Sequence, residues 1–492
     1  MLRIPIILWF LAVGVVAERP NILFISVDDM NDWVGFLGGY PGAVHTPNID
    51  ALSRRGVAFT NAHCASPVCC PSRTAVMTGL MPSSSGIYNN SQWWKPHRPD
   101  LVTIPMHFRR HGYEVVGAGK IFHHTAGSNP PGQWDVFHRL TFQDDPWFRG
   151  NRLNYPWTKP EPNPKGFPFS NVPALPHEND WGVLPLSESS YDDARSVDFA
   201  IEFLGKEHTE PFFLACGLFR PHLPWYTPQR YVDLYPLNEI REPVCRDDDL
   251  DDVPAEGKEL SEARRGEMAV IKKAGKYRQA IQAYLASLSF ADAQIGRLLR
   301  ALEKSEASSR TIIVLWSDHG WHLGEKQHWH KSTLWEEATR VPLIISAPDL
   351  RPARCEAPVS LVDLFPTLTE LCHLPAVPWQ DGRSLQPLLR EPSRTDGFAM
   401  TQFKPGQASV RSHAFRYIRY ADGGEELYDH RADPHEWNNV VLEPRWADER
   451  ETHAARITRD WADPAPSKKA YAFDPATYSW TTKQGVVIDG RN

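Results

Sequence analysis

Beyond its first seventeen residues the chain has no apolar run long enough to span a bilayer, so no stable membrane insertion is expected. It also lacks a surplus of basic residues: 53 Lys and Arg stand against 60 Asp and Glu, a net charge of −7. A nucleic-acid partner is therefore not expected, because binding a phosphate backbone needs a basic face. No internal repeat is visible, which excludes solenoids and propellers. Cysteine is sparse, at 7 in 492 residues. Cys64, Cys69, Cys70, Cys216, Cys245, Cys355 and Cys372 do not fall into a paired zinc spacing. Their odd number leaves at least one thiol unpaired or chemically used, and adjacent Cys69 and Cys70 are poorly placed to bridge each other.

The N-terminus reads as a signal peptide over residues 1–17. Arg3 supplies the basic start, residues 4–16 the apolar core, and Val15 and Ala17 the small residues before a cleavage site. Export follows, to a secreted or periplasmic location or to a lysosomal-type lumen in a eukaryote. Residues 21–27 form a continuous apolar run that ends on two acids, as a strand buried on both faces does. Thr46 and Pro47 open a helix, as cap and first residue. Further buried strands are expected at 114–117, 212–217 and 311–316, and helices at 277–304 and 361–372. This alternation predicts an α/β fold with a large, mostly parallel sheet flanked by helices over residues 18–390. Short strands at 413–419 and 426–428 predict a smaller C-terminal α+β subdomain with an antiparallel sheet over 391–492. Residues 126–186, rich in Pro, Trp, Asn and Gly, read as a long insertion over the site. The charge-dense residues 242–265 read as a solvated loop.

Two strands of this pattern end in acid. Asp28 and Asp29 follow the first, and Ser317-Asp318-His319-Gly320 follows the strand at 311–316. Ligands bind beyond the carboxyl ends of strands in such sheets. Three carboxylates gathered there make a hard oxygen site that suits Ca²⁺ or Mg²⁺ better than Zn²⁺.

Between these acids lies Cys69-Cys70-Pro71-Ser72-Arg73, followed by Met77-Thr78-Gly79. Here the chain resembles the type I sulfatases, whose Cys-x-Pro-Ser-Arg motif carries a cysteine oxidised to formylglycine. Counting back from Pro71 puts that cysteine at Cys69. The family usually continues Leu-Thr-Gly-Arg, where this chain has Met-Thr-Gly-Leu. The resemblance implies an alkaline-phosphatase-like fold and hydrolysis of sulfate esters. It implies one Ca²⁺ held by Asp28, Asp29, Asp318, His319 and the modified Cys69. It also implies a formylglycine-generating enzyme as maturation partner. Gly119-Lys120-Ile121-Phe122-His123 is similar to the family's Gly-Lys-x-x-His segment, so Lys120 would hold the aldehyde hydrate and sulfate while His123 orients the hydrate. Arg73 would buttress the modified residue. His222, within Arg220-Pro221-His222, matches the general acid, and Lys331, after Trp329-His330, the second sulfate-clamping lysine. Asp381–Leu385, Glu426–Asp429 and Asp433–Glu436 match later landmarks, so the resemblance spans nearly the whole mature chain. The iduronate-2-sulfatase-like branch fits best, although Ser332 stands where that enzyme places Tyr beside its uronate.

A sulfated carbohydrate is the expected substrate. Trp93, Trp94, Lys95, His97 and Arg98 form an aromatic and basic cluster suited to stacking on a sugar and pairing with a second anion. Trp321 and His322 are rim candidates. Two alternatives stay open on the residues alone: a formylglycine-dependent phosphonate monoester or phosphodiester hydrolase, and a sulfated-glycan-binding pseudoenzyme.

Overall fold

A computed structural model of the chain describes residues 19–139, 168–184 and 186–491. The signal-peptide reading of 1–17 and the middle of the expected insertion, residues 140–167, lie outside the described residues. An eight-stranded sheet forms the centre: β1 (Asn21–Val27), β2 (Val57–Phe59), β3 (Glu114–Gly119), β4 (Val136–His138), β5 (Phe212–Leu218), β6 (Thr311–Ser317), β7 (Leu343–Ser346) and β8 (Ala353–Cys355). Their spatial order is β8-β2-β7-β6-β1-β5-β3-β4. Only β7 runs antiparallel to its neighbours.

The alternation along β1 builds two cores. Leu23, Ile25 and Val27 face α3 (Asp192–Leu204) and α5 (Tyr277–Lys304) through Val197, Tyr284 and Leu288. Ile22 and Phe24 face α2 (Cys69–Thr78) and α6 (Leu364–Leu371) through Val76, Met77 and Leu368. Helices thus cover both faces, and every β1 residue is buried. Helix α1 (Pro47–Ser53) opens on Pro47 as expected, but Thr46 does not cap it. Its hydroxyl instead accepts from Gly35 N at 2.9 Å.

The C-terminal part carries a four-stranded antiparallel sheet, β9 (Ala399–Gln402), β10 (Ala408–Arg411), β11 (Phe415–Arg419) and β12 (Glu425–Asp429), in sequence order. A three-stranded sheet follows: β13 (Tyr471–Asp474), β14 (Ser479–Thr482) and β15 (Val487–Asp489). The fold class is as the sequence predicts. The reading of 242–265 as a loop is corrected, because helix α4 (Ala255–Lys273) begins inside it. Asp249 is not solvated either; it is buried with its oxygen 2.8 Å from Lys326 Nζ. Lys326 also donates to Glu436 O and so ties that segment to the C-terminal sheet. Removing one partner leaves the other charge uncompensated in a dry site. Lys326→Met is expected to cost about 3–5 kcal/mol in urea unfolding; a loss below about 1 kcal/mol would mean that water already reaches Asp249.

Candidate active site

β1 and β6 pair in parallel, with Val27 opposite Ser317. The residues that follow, Asp28 and Asp318, therefore leave the same sheet edge side by side, although 290 positions separate them. Asp29 takes a φ of +60°, a left-handed turn that Asp tolerates better than most side chains. This turn lets neighbouring acids serve one site rather than opposite faces. Asp29 N donates to Asp318 Oδ1 at 3.1 Å, and Tyr284 Oη donates to Asp29 O at 2.8 Å. All three acids are fully buried.

Helix α2 starts at Cys69, and all ten of its residues are buried. Pro71 is tolerated because it lies in the first turn, where backbone N–H groups have no helical acceptor. Asn90 Oδ1 accepts from Cys70 N at 2.9 Å. Gly79 ends the helix at φ +74°, its N–H bonded to Ala75 O. The positive end of α2 thus faces the acids from across the site.

Cys69 Sγ is the point on which the site converges. Lys331 Nζ lies 3.1 Å away, His319 Nε2 3.2 Å, Lys120 Nζ 3.9 Å and Asp29 Oδ1 4.0 Å. Arg73, one turn along α2, bridges Asp318 Oδ2 at 2.8 Å and Asp28 Oδ1 at 3.1 Å. Lys120 pairs with Asp28 Oδ2. Lys331 reaches Asp29 Oδ1 at 2.6 Å from a tight turn whose flanking residues, His330 and Ser332, have φ of +87° and +75°. His222 Nε2 is 3.8 Å from Asp29 Oδ2. The His222 loop is anchored by Asp193, which accepts from Phe219 N and pairs with Arg220 at 3.3 Å.

The charges are unequal in effect. Burial acts against ionised Asp28, yet Lys120 and Arg73 hold it well below the usual carboxylate range. Burial pushes Asp29 up to about 7 and Asp318 to about 6, against the pull of Lys331 and Arg73 respectively. Burial likewise raises the Cys69 thiol. Burial and the two lysines hold His222 and His319 neutral. Asp28, Cys69, Asp318 and His319 offer ligand atoms within 4.8 Å of one another, and so do Asp28, Asp29, Cys69 and His222. Asp29 Oδ2 is buried and has no hydrogen-bond partner. Three buried carboxylates with an orphaned oxygen fit a hard divalent cation.

Above these groups opens a cavity of about 430 Å³, lined by Asn90, His123, His124, Asn179, His222, Trp321, His330 and Lys331 among others. Of the expected substrate contacts, Trp321 lines it, with Lys331 Nζ 5.3 Å from its ring and the His330 ring tilted against it at 4.5 Å. The others require correction. Trp93 is buried against Tyr471, Phe473 and Trp480, and Trp94 is stacked on Phe122. Lys95 donates to Pro99 O, and Arg98 pairs with Asp100. His97 is half-buried and lies against Gly86. His322 is sealed inside, bonded to Thr333 Oγ1 at 2.7 Å and to Glu325 O. Sequence reasoning missed His124 and Asn179, which no motif marks, and gave no role to His330 although it lies in the Trp329-His330-Lys331 segment; the fold brings all three to the mouth.

The Sulfatase family profile matches residues 20–374. A second profile, N-sulphoglucosamine sulphohydrolase C-terminal, matches residues 324–460. The chain is 38% identical over 481 residues to a sulfatase of Formosa agariphila, covering 95% of this chain and 92% of the relative. It is 32% identical over 404 residues to the iduronate 2-sulfatase of Homo sapiens, covering 73% and 70%. Among solved structures, the phosphonate monoester hydrolase of Agrobacterium radiobacter superposes with a TM-score of 0.72 at 21% identity, over 96% of this chain and 99% of that one.

Proposed function

This chain belongs to the sulfatase family and is a sulfuric ester hydrolase, and we propose that it desulfates a carbohydrate through a calcium-held formylglycine made from Cys69. The carrying observation is the convergence of Lys331, His319, Lys120 and Asp29 within 4.0 Å of Cys69 Sγ. The carbohydrate class rests on the name of the human relative, iduronate 2-sulfatase, and on an aromatic and polar cavity wall of a kind that suits sugars.

Asp28, Asp29, Asp318 and His319 would hold the Ca²⁺, which supplies Lewis-acid polarisation of a sulfate oxygen and favours ionisation of the attacking hydroxyl. A hydrated formylglycine at position 69 would offer two hydroxyls on one carbon, one to attack sulfur and one to expel sulfate afterwards. The rest falls to groups the chain already holds. Lys120 and Lys331 face the same point from two sides and bind the anionic oxygens. Arg73 fixes Asp28 and Asp318, so neither acid swings as charge develops. His222 orients through Nδ1, which donates to Leu223 O at 2.5 Å, leaving Nε2 for the leaving oxygen. The lysines that hold His222 neutral are offset by an arriving sulfate, so His222 takes up its proton together with substrate and returns it to the sugar oxygen.

A chelator is expected to remove activity and Ca²⁺ to restore it. Restoration by Zn²⁺ alone would contradict the hard-oxygen reading. The phosphonate or phosphodiester alternative is tested by turnover of nitrophenyl sulfate against the matched phosphonate and phosphodiester. A larger kcat/KM on either phosphorus ester would displace the sulfatase assignment for this site. Residues 1–17 support delivery to an exported compartment, and a formylglycine-generating enzyme is the implied maturation partner.

A further inference from the structure

The last segment of the chain, beyond residue 460 and outside both family matches, returns to the site. Ala465 N bonds Gly86 O, Lys468 N bonds Ser91 O, and Gln92 Nε2 donates to Ala465 O at 2.6 Å. Trp480 packs on Trp93, and Tyr478 Oη donates to Asn129 O at 2.7 Å. These contacts grip the two loops that flank His123. They also deliver one charge: Lys468 Nζ lies 2.5 Å from Thr125 Oγ1 and 5.6 Å from the Trp93 ring. Thr125 Oγ1 is in turn 2.9 Å from His123 Nδ1 and 2.9 Å from Ser128 Oγ.

The hydrogen-bond count constrains this chain. A threonine hydroxyl has one proton and two lone pairs. An ammonium can only donate, so Lys468 occupies one lone pair of Thr125. One donor and one acceptor remain for His123 and Ser128. A bound cation polarises the hydroxyl and makes its proton the stronger donor. That proton then goes to His123 Nδ1, while Ser128 donates to the remaining lone pair. His123 keeps its own proton on Nε2, the nitrogen left for the cavity that the ring lines together with His222 and Lys331.

We propose that Lys468 is a positioning residue for the hydrolysis, acting through Thr125 to hold His123 as the Nε2–H tautomer beside position 69. The proposal rests on the reading of position 69 as the reacting residue. His123 thereby offers a hydrogen bond to the reacting group without adding charge between two lysines. A C-terminal segment outside the family matches thus completes the chemistry.

The test uses the full-length mature chain, with conversion of Cys69 verified by mass spectrometry in every variant. Lys468→Met and Thr125→Val are each expected to lower kcat about 10–100-fold, as losses of outer partners of active-site histidines do, with KM within about twofold. The double variant should be no worse than the weaker single, because both cut one relay. Lys468→Arg should retain most turnover. Nitrogen-15 imidazole shifts, read without substrate, should show His123 with a bare Nδ1 in the parent and a tautomer mixture in Lys468→Met. Unchanged shifts in Lys468→Met would overturn the proposal, as would additive losses that follow the fall in Tm. Trp480→Ala serves as the structural control, lowering Tm while leaving the His123 shifts in place. Failure of the parent to cleave any sulfate ester would instead count against the sulfatase reading of position 69, since the imidazole shifts do not depend on turnover.

Discussion

Cys69→Ala is expected to lower sulfate-ester turnover about 10⁴–10⁶-fold, the range seen when a nucleophile is deleted from an otherwise intact site. Cys70→Ser should retain at least about half of it, because its loss removes no group from the reacting centre. The two cysteines are neighbours in sequence but not in surroundings. Cys69 Sγ faces Lys331, His319 and Lys120, whereas Cys70 Sγ points the other way, 3.5 Å from Gln92 O. A serine hydroxyl can keep that contact. Comparable losses in both variants would mean that the modified residue is not the one two positions before Pro71. Mass spectrometry of the peptide spanning residues 69 and 70 gives an independent reading of the same register.

The second large effect concerns the leaving group. His222→Ala is expected to reduce kcat on a sulfated sugar about 10²–10⁴-fold, the range for loss of a general acid. On nitrophenyl sulfate the loss should be about tenfold or less, since a phenolate departs without a proton. The physical basis is that His222 Nδ1 is committed to Leu223 O, so only Nε2 can exchange a proton with substrate. Equal losses on both esters would show that His222 binds rather than protonates. The alkyl ester should also show the steeper fall at high pH, where His222 can no longer gain its proton with the incoming sulfate.

The strands carrying the acids were legible because period and ending coincide. The apolar run at 21–27 is too uniform for an amphipathic helix, and its acid pair marks the sheet edge. The long helix Tyr277–Lys304 was legible from its 3.6-residue stripe. Trp93 and Trp94 misled for a definite reason: an aromatic pair beside basic residues has the same composition whether it stacks on a sugar or on Trp480 and Phe122. For Trp93 the C-terminal sheet, distant in sequence, decides between them; for Trp94 it is Phe122. His322 misled likewise, because its partner Thr333 lies across a small hairpin. Asp249 and Lys326 look like ordinary surface charges one at a time; their burial is a property of the pair. The relay from Lys468 to His123 spans 345 positions and carries no motif, so sequence spacing could not reveal it.

Cys69 is fully enclosed in the folded chain, and the side chains that close over it, His319 and Lys331, are made some 250 residues later. At ordinary synthesis rates of about 5–20 residues per second, the thiol stays open for on the order of tens of seconds. On the proposed reading of position 69, an oxidising enzyme would act within that interval, on an extended strip of chain rather than on a finished domain. Slower synthesis between residues 69 and 318 would lengthen the opportunity and raise the converted fraction. Rapid refolding of unconverted chains would close it, leaving well-folded molecules that cannot turn over.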